Sequence, residues 1–506
     1  MGRVFGGISC ERVYYGCCQN VMRRVSLRSL FKQMGERMNK YGKLWVAVVL
    51  PLMVWIVPVD MLPLHGMTVV EHRLLAIFVM AALFWVLEPI PVFATSLLIV
   101  VCELVLVSDK GFVYAIRDIE PAALLSYRDI LGTFAAPIIM LFLGGFFLAI
   151  AATKYRLDQN LARVLLKPFG SNPKFILLGL MVITAVFSMF MSNTATTAMM
   201  LAILMPVLKV FEPNDSGKVA FALGIPFAAN IGGIGTPIGT PPNAVAMKYL
   251  GGAISFGKWM SFALPYVFVM LVLTWVLLFV MFPSQRSQLQ LNMKGRFLKH
   301  TRAWVVYVTS LLTIVLWLTD FWHGMNAYVV AMIPVAVFSA TQIITAEDLK
   351  LISWDVLWLV AGGIALGQGL EKSGLAARLV DQIPFHMLSS FWVMGLATLV
   401  AILMATLMSN TATANLLLPM VAALGTSLEG LDVIGGEVML IVVVTIACSL
   451  AMALPVSTPP NAMAHAMGVI RTDQMFRCGI LVGGVGLVLA YVLMFVLNGF
   501  GFWNVG

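Results

Sequence analysis

The chain is short of charge. Only 11% of its 506 residues are Asp, Glu, Lys or Arg, and 60% are hydrophobic, whereas a soluble domain carries about 25% charged residues. That deficit excludes an ordinary soluble protein. Cysteine is scarce as well. Cys10, Cys17, Cys18, Cys102, Cys448 and Cys478 show no CxxC spacing and no His partner, so they read as free thiols rather than a metal site or a disulfide framework. No Walker motif, HExxH or Ser/His/Asp context occurs, which leaves ATP-driven pumping and membrane proteolysis without support. Gly233-Ile234-Gly235 only imitates a nucleotide loop, because its spacing is wrong and no strand precedes it. The chain does not read as an enzyme and calls for no organic cofactor.

What is present is length of apolar run. Leu44–Val59, Leu74–Val86, Val92–Val107, Phe262–Phe282, Trp304–Leu318 and Ile480–Leu497 are dry enough to span a bilayer. The reading is an all-α polytopic membrane protein of about 11 transmembrane helices. The net charge of +9 then reports sidedness, not nucleic-acid binding. The basic tail over 1–42 places the N-terminus in the cytoplasm by the positive-inside rule. Lys154, Arg156, Arg163, Lys167 and Lys174 fall on the same side, as does the acid-free set Arg286, Lys294, Arg296, Lys299 and Arg302. The base-free loop with Glu429, Asp432 and Glu437 falls outside, and so does the C-terminus. A bacterial inner membrane is the expected location. Residues 1–40 could instead be a targeting segment or an over-long start.

Three landmarks recur at one spacing. Met191-Ser192-Asn193-Thr194-Ala195-Thr196 returns as Met408-Ser409-Asn410-Thr411-Ala412-Thr413, 217 residues on. Gly239-Thr240-Pro241-Pro242-Asn243-Ala244 returns as Ser457-Thr458-Pro459-Pro460-Asn461-Ala462, and Gly144-Gly145 as Gly362-Gly363, each 218 residues on. This spacing implies an internal duplication. The first repeat is placed over 71–283 and the second over 303–500, after one extra helix at 43–59 and around a basic linker at 284–302. Each repeat is read as two spans, a third ending in the Gly-Gly element, a hairpin, a broken span and a closing span. Five crossings per repeat is an odd number, so the copies would lie inverted in the membrane.

The hairpins follow from length. The stretch 174–211 is almost wholly apolar and would measure more than about 50 Å as one helix, against a hydrocarbon core of ~30 Å. Its middle is Ser192-Asn193-Thr194, so it folds back there; the stretch 390–427 does the same around Ser409-Asn410-Thr411. The broken spans, 219–250 and 438–469, follow from Pro and Gly, which cannot continue a helix through Gly232–Pro242 or Leu454–Pro460. Broken backbone at membrane depth is tolerated only where it is buried in protein or lines a cavity, so the tips should meet near the midplane.

Such interruptions leave free carbonyls, which suit a cation, and free N–H groups, which suit an anion. Ser and Asn add hard oxygen ligands of the kind Na⁺ takes, and Thr194, Thr240, Thr411 and Thr458 offer hydroxyl donors to a carboxylate or sulfate. No Lys, Arg, Asp or Glu falls in either tip or either break. That absence favours Na⁺ over a proton as the coupling ion.

With paired Ser-Asn-Thr tips, each followed by a Thr-Pro-Pro-Asn break, the chain resembles the divalent anion–sodium symporter family of dicarboxylate, citrate and sulfate carriers from about residue 43 onward. The resemblance implies Na⁺-coupled symport of a small divalent anion, above all a C4 dicarboxylate such as succinate, malate or fumarate. It also implies a lipid-embedded homodimer in which a transport domain moves as an elevator against a scaffold, both assembled from the two repeats. Carried over by motif, one sodium site would use Ser188, Ser192, Asn193 and the Gly239 carbonyl. Its mirror would use Asn410, the Met408 carbonyl and Ser457, with Ala405 standing where the family often offers a hydroxyl and Thr406 as a possible substitute. The substrate would lie between Asn193, Thr194, Thr240, Pro241, Asn410, Thr411, Thr458 and Pro459. Glu88 and Glu103 read as interfacial groups, His465 as a packing residue, and the 33 methionines as apolar filler. An exchanger, a citrate or sulfate carrier, and an anion channel stay open.

Overall fold

The computed structural model describes residues 42–503 apart from 63, 65, 118, 213, 287, 290–296, 383–388, 428–430 and 432–434. The basic tail but for residue 42, Cys10, Cys17 and Cys18, most of the basic linker's centre, and Glu429 and Asp432 lie outside that set. Every regular element among the described residues is helical, with one isolated bridge between Ser108 and Leu125. Cys102, Cys448 and Cys478 are free.

The longer helices are α1 Gly42–Ile56, α2 Val69–Leu87, α3 Val92–Leu106, α4 Pro137–Lys154, α5 Pro173–Ser188, α6 Asn193–Leu208, α7 Gly217–Gly233, α8 Pro241–Tyr249 and α9 Phe256–Met281. They continue as α10 Thr301–Leu318, α11 Ala327–Ala340, α12 Trp354–Ser373, α13 Ser390–Leu407, α14 Asn410–Ser427, α15 Gly436–Ser449, α16 Pro459–Ala466 and α17 Thr472–Gly499. Six helical stretches are long and apolar enough to cross a bilayer: α2, α9, α10, α13, α17 and Tyr127–Lys154, which ends in α4. The sequence reading of about eleven crossings groups α7 with α8 and α15 with α16 as one each and also counts the hairpins α5–α6 and α13–α14 as no crossing. The arm α13 is long enough to cross by itself, so the break at Met408-Ser409, not length, sets it apart. Helix starts recur at the duplicated spacing: Pro137 and Trp354, Pro173 and Ser390, Asn193 and Asn410, Pro241 and Pro459.

The starts have local causes. Thr68 and Glu71 form a reciprocal capping box at α2. The Ser192 hydroxyl accepts from the Ala195 N–H, and the Ser409 hydroxyl from the Ala412 N–H, both at 3.2 Å, so each Ser-Asn-Thr motif is a helix N-cap followed by its first turn. Pro241 and Pro459 occupy the first helical position after an extended Thr240 or Thr458, where a missing N–H costs nothing.

The Gly-Gly pairs do not end a helix, as the sequence suggested. They sit inside α4 and α12, and their role is close approach. A Cβ on Gly144 would lie 2.4 Å from the Ala331 carbonyl oxygen of α11, and one on Gly362 would lie 2.4 Å from the Ser96 Cβ of α3. The same contact thus occurs in both halves, in the small-residue style of helices packed within a bilayer. Two apolar clusters fill the interior. One gathers α2, α3, the end of α12 and the start of α14; the other runs through the remaining helices. Large apolar side chains such as Phe268, Val280, Leu311, Leu403 and Val488 point outward, an excess of exposed apolar surface that fits lipid. Gly144→Val or Gly362→Val should cost about 1–3 kcal/mol by overpacking, read as a lower melting temperature in detergent. Gly395→Ala, which meets nothing within 4 Å, should not lower it.

Candidate functional site

The two tips and the two breaks line one cavity of about 300 Å³. They reach it by packing crosswise: α16 lies against α6, and α8 lies against α14. Each second half-helix therefore meets the other half's hairpin. The outcome is that the N-termini of α6, α8, α14 and α16 open into the same space. Asn193, Thr194, Thr240, Pro241, Asn410, Thr411, Thr458 and Pro459 all line it, together with Ser192, Gly239 and Ser457. Ser188, Thr406 and Met408 are not on the wall. Behind it stand the C-terminal ends of α5, α7, α13 and α15, whose carbonyls point the opposite way along each helix axis.

Behind the first tip, oxygens converge. The Ser188 hydroxyl lies 2.5 Å from Asn193 Oδ1 and 2.8 Å from the Ala229 carbonyl oxygen. It has a single proton for two acceptors, so the cluster is poor in donors and suits a cation. Gly233 makes room for it. A Cβ there would fall 2.7 Å from Asn193 Oδ1 and 3.1 Å from the Gly239 carbonyl oxygen, so those two oxygens approach the same bare Cα. The Ser192 hydroxyl, by contrast, caps α6.

The second tip differs chemically. Asn410 Oδ1 is buried and has no hydrogen-bond partner among the described residues. The Ser457 hydroxyl donates to the Thr406 carbonyl at 2.9 Å. The Thr406 hydroxyl itself turns back to the Ile402 carbonyl of its own helix at 2.7 Å, so Thr406 does not supply the hydroxyl that Ala405 lacks. It faces the site with its backbone. At the position matching Gly233 stands Ala451, whose Cβ occupies what is a bare Cα in the first half.

Three asparagines that sequence reasoning left without a role hold the breaks. Asn243 Nδ2 reaches back to the carbonyls of Gly233, Ile234 and Thr236 at 3.1, 3.3 and 2.8 Å. Asn461 Nδ2 does the same to Met452 and Leu454 at 2.8 and 3.1 Å. Their signal was the last letter of each Thr-Pro-Pro-Asn motif. Asn230 of α7 crosses between the halves, with Nδ2 at 3.2 Å from Thr458 Oγ1 and 3.3 Å from Asn461 Oδ1. Its Oδ1 has no partner among the described residues.

Asp355 is the one charged side chain among the described residues lining the cavity. It comes from the first turn of α12, where a carboxylate complements the helix dipole, and not from a tip or a break. An adjoining cavity of about 390 Å³ shares Phe146, Met191 and Ser192 and leads to the Lys154–Asp348 ion pair, 2.5 Å long. Two further sequence readings are settled here. His465 bonds Thr472 at 3.1 Å and is not on the cavity wall. Glu88 is exposed at the end of α2, whereas Glu103 is wholly buried.

A family described as citrate transporter matches residues 82–435 of this chain. The sodium-dependent dicarboxylate transporter SdcS of Staphylococcus saprophyticus is 30% identical over 465 residues, covering 84% of this chain and 85% of that protein. The chain belongs to the divalent anion–sodium symporter family. It is thus an integral membrane transporter and not an enzyme. An uncharacterized transporter of Haemophilus influenzae is 30% identical over 496 residues, covering 93% of this chain and all of that one. Among solved structures, the YdaH transporter of Alcanivorax borkumensis shares the fold at a TM-score of 0.51 and 14% identity, covering 74% of this chain and 88% of the other. Asn243→Ala and Asn461→Ala should each leave buried carbonyls unpaired, at a cost of about 1–3 kcal/mol. Thermal unfolding of the detergent-solubilised protein reads that loss, and an unchanged midpoint would refute the stapling role.

Proposed function

We propose that this family member carries a small divalent anion together with Na⁺, and that the anion is a C4 dicarboxylate such as succinate, malate or fumarate. The observation that carries the proposal is the meeting of four helix N-termini in one cavity without a Lys or Arg on its wall among the described residues. Each N-terminus presents about half a positive charge, so four sum to about two, opposed on the same wall by the Asp355 carboxylate. The sodium-dependent dicarboxylate transporter of Staphylococcus saprophyticus, as a relative, supports both the ion and the substrate class. The family description favours citrate as the competing cargo.

In this reading Asn193, Thr194, Thr240, Pro241 and their counterparts Asn410, Thr411, Thr458 and Pro459 hold the anion with backbone N–H groups and neutral side chains. Na⁺ sits behind the first tip among Ser188, Asn193 and the Gly239 carbonyl, with Ser192 at its edge. A second Na⁺ uses Asn410, Ser457 and the Met408 and Thr406 carbonyls. Asn193 and Asn410 belong to both sets, so a bound cation fixes the side chain that the anion then meets. That is the coupling. Inverted repeats, a homodimer in lipid, an elevator movement and a cytoplasmic N-terminus complete the proposal.

Succinate uptake into proteoliposomes should collapse when Na⁺ is replaced by K⁺; equal uptake in both would overturn sodium coupling. A competition panel with citrate and sulfate reports the cargo. Asn193→Ala and Asn410→Ala should each reduce uptake by at least about tenfold, as expected for loss of a ligand worth 1.4 kcal/mol or more, without changing the elution volume of the protein. Gly233→Ala should fill the first cradle and raise the Na⁺ concentration needed for half-maximal uptake, and an unaltered Na⁺ dependence would exclude that location.

A further inference from the structure

Glu103 is the one carboxylate among the described residues with both oxygens buried and unpartnered. It lies near the end of α3, wholly buried, and neither carboxylate oxygen has a hydrogen-bond partner among the described residues. Space for it is made on purpose. A Cβ on Gly369 of α12 would stand 3.0 Å from Glu103 Oε1 and 2.9 Å from Leu74 of α2. An ionised carboxylate without a partner is not tolerated in such surroundings.

Its neighbours' charges are committed elsewhere. On α2, Glu71 pairs with Arg378 at 2.9 Å, Arg73 donates to the Leu106 carbonyl at 2.7 Å, and His72 bonds the Val54 carbonyl at 2.7 Å. The helix Tyr127–Gly132 brings Asp129, paired with Lys372 of α12 at 2.5 Å, and Arg128, bonded to Tyr127. The helix Val113–Ile116 has no charged side chain. On α12 itself stand Glu371, next to Lys372, and Asp355 at the far end; Cys102 precedes Glu103 on α3. The opposite charge that acts on Glu103 through space is Lys248, near the end of α8, which feels Glu371 first and Glu103 next. Its ammonium rests on the Ile364 carbonyl at 3.2 Å and the Tyr249 hydroxyl at 3.4 Å, against the bare Cα of Gly367. It makes no ion pair with Glu103 here.

We infer that Glu103 is a proton-binding site inside the membrane-spanning core, and that Lys248 is the group that reads its charge. A metal cation does not fit, because the ammonium of Lys248 would repel it and no cluster of three or more His, Cys, Asp or Glu surrounds Glu103 among the described residues. A proton does fit. It leaves a neutral acid facing the glycine gap of α12, and its departure creates an anion in the field of Lys248, which Glu371 also faces. α8 begins at Pro241 on the wall of the anion cavity and ends beside Lys248. Protonation of Glu103 therefore acts on the same short helix that presents one of the four N-termini.

The uptake arm below rests on the transport reading; the spectroscopic arm does not. In infrared spectra of the purified full chain, a carbonyl band of a protonated carboxylic acid should be present at neutral pH. It should vanish as pH rises and be missing in Glu103→Gln. Lys248→Met removes the charge that favours the anion, so the band should persist to a pH about one unit or more higher. In proteoliposomes, the ratio of wild-type to Glu103→Gln uptake cancels titration of the substrate. It should be near one in acid and fall several-fold in alkali. No band lost in Glu103→Gln, or a titration unmoved by Lys248→Met, overturns the proton site. A band that behaves as expected with a flat uptake ratio overturns its link to transport alone. If uptake itself is absent in Na⁺, the carrier reading fails while the spectra still decide Glu103.

Discussion

A helix that stops inside a bilayer must do something with its ends, since each unpaired backbone group costs several kcal/mol there. The structure depends on how this chain meets that constraint. It stops helices at Ser188, Gly233, Leu407 and Ser449 and restarts them at Asn193, Pro241, Asn410 and Pro459. Asn243 and Asn461 take up carbonyls on one side, and Ser192, Ser409 and Thr458 take up N–H groups on the other. What those side chains leave over is not waste. It is a set of partial charges of known sign at known places, obtained without a single Lys or Arg on the cavity wall among the described residues.

The breaks were readable because their causes are local. Proline cannot give an N–H, glycine tolerates tight approach, and Ser followed by Asn and Thr in an apolar run announces a cap. The Gly-Gly pairs misled for the same reason: glycine often ends a helix, and nothing nearby reveals that Ala331 or Ser96 presses against it. The burial of Glu103 could not be read, because it lies near the end of an apolar run. Its burial is decided by Gly369, a residue 266 positions away. Asp355 and Asn230 were likewise out of reach. Asn230 bonds Thr458 and Asn461 in the other half of the chain, and Asp355 lines a cavity that both halves share, so separation in sequence leaves no spacing to read.

Likeness between the halves is a likeness of backbone more than of chemistry. Ser188 has Ala405 as its counterpart, Gly233 has Ala451, and Asn230 has Cys448. Each change removes a polar atom or a gap from the second half. The helix ends are kept, because they come from main chain and need only the break. The side-chain oxygens behind them are free to diverge, and they have. One tip holds Ser188, Asn193 and Ala229 in mutual contact, while the other leaves Asn410 Oδ1 without a partner.

Asn230 belongs to α7, yet its carboxamide is spent on Thr458 and Asn461 of the opposite half. That one side chain works as a latch. Tilting α16 drags α7, and α7 is packed on both α5 and α6. Displacing one break therefore strains the contacts that hold the other, so the two interruptions are mechanically joined through a single carboxamide.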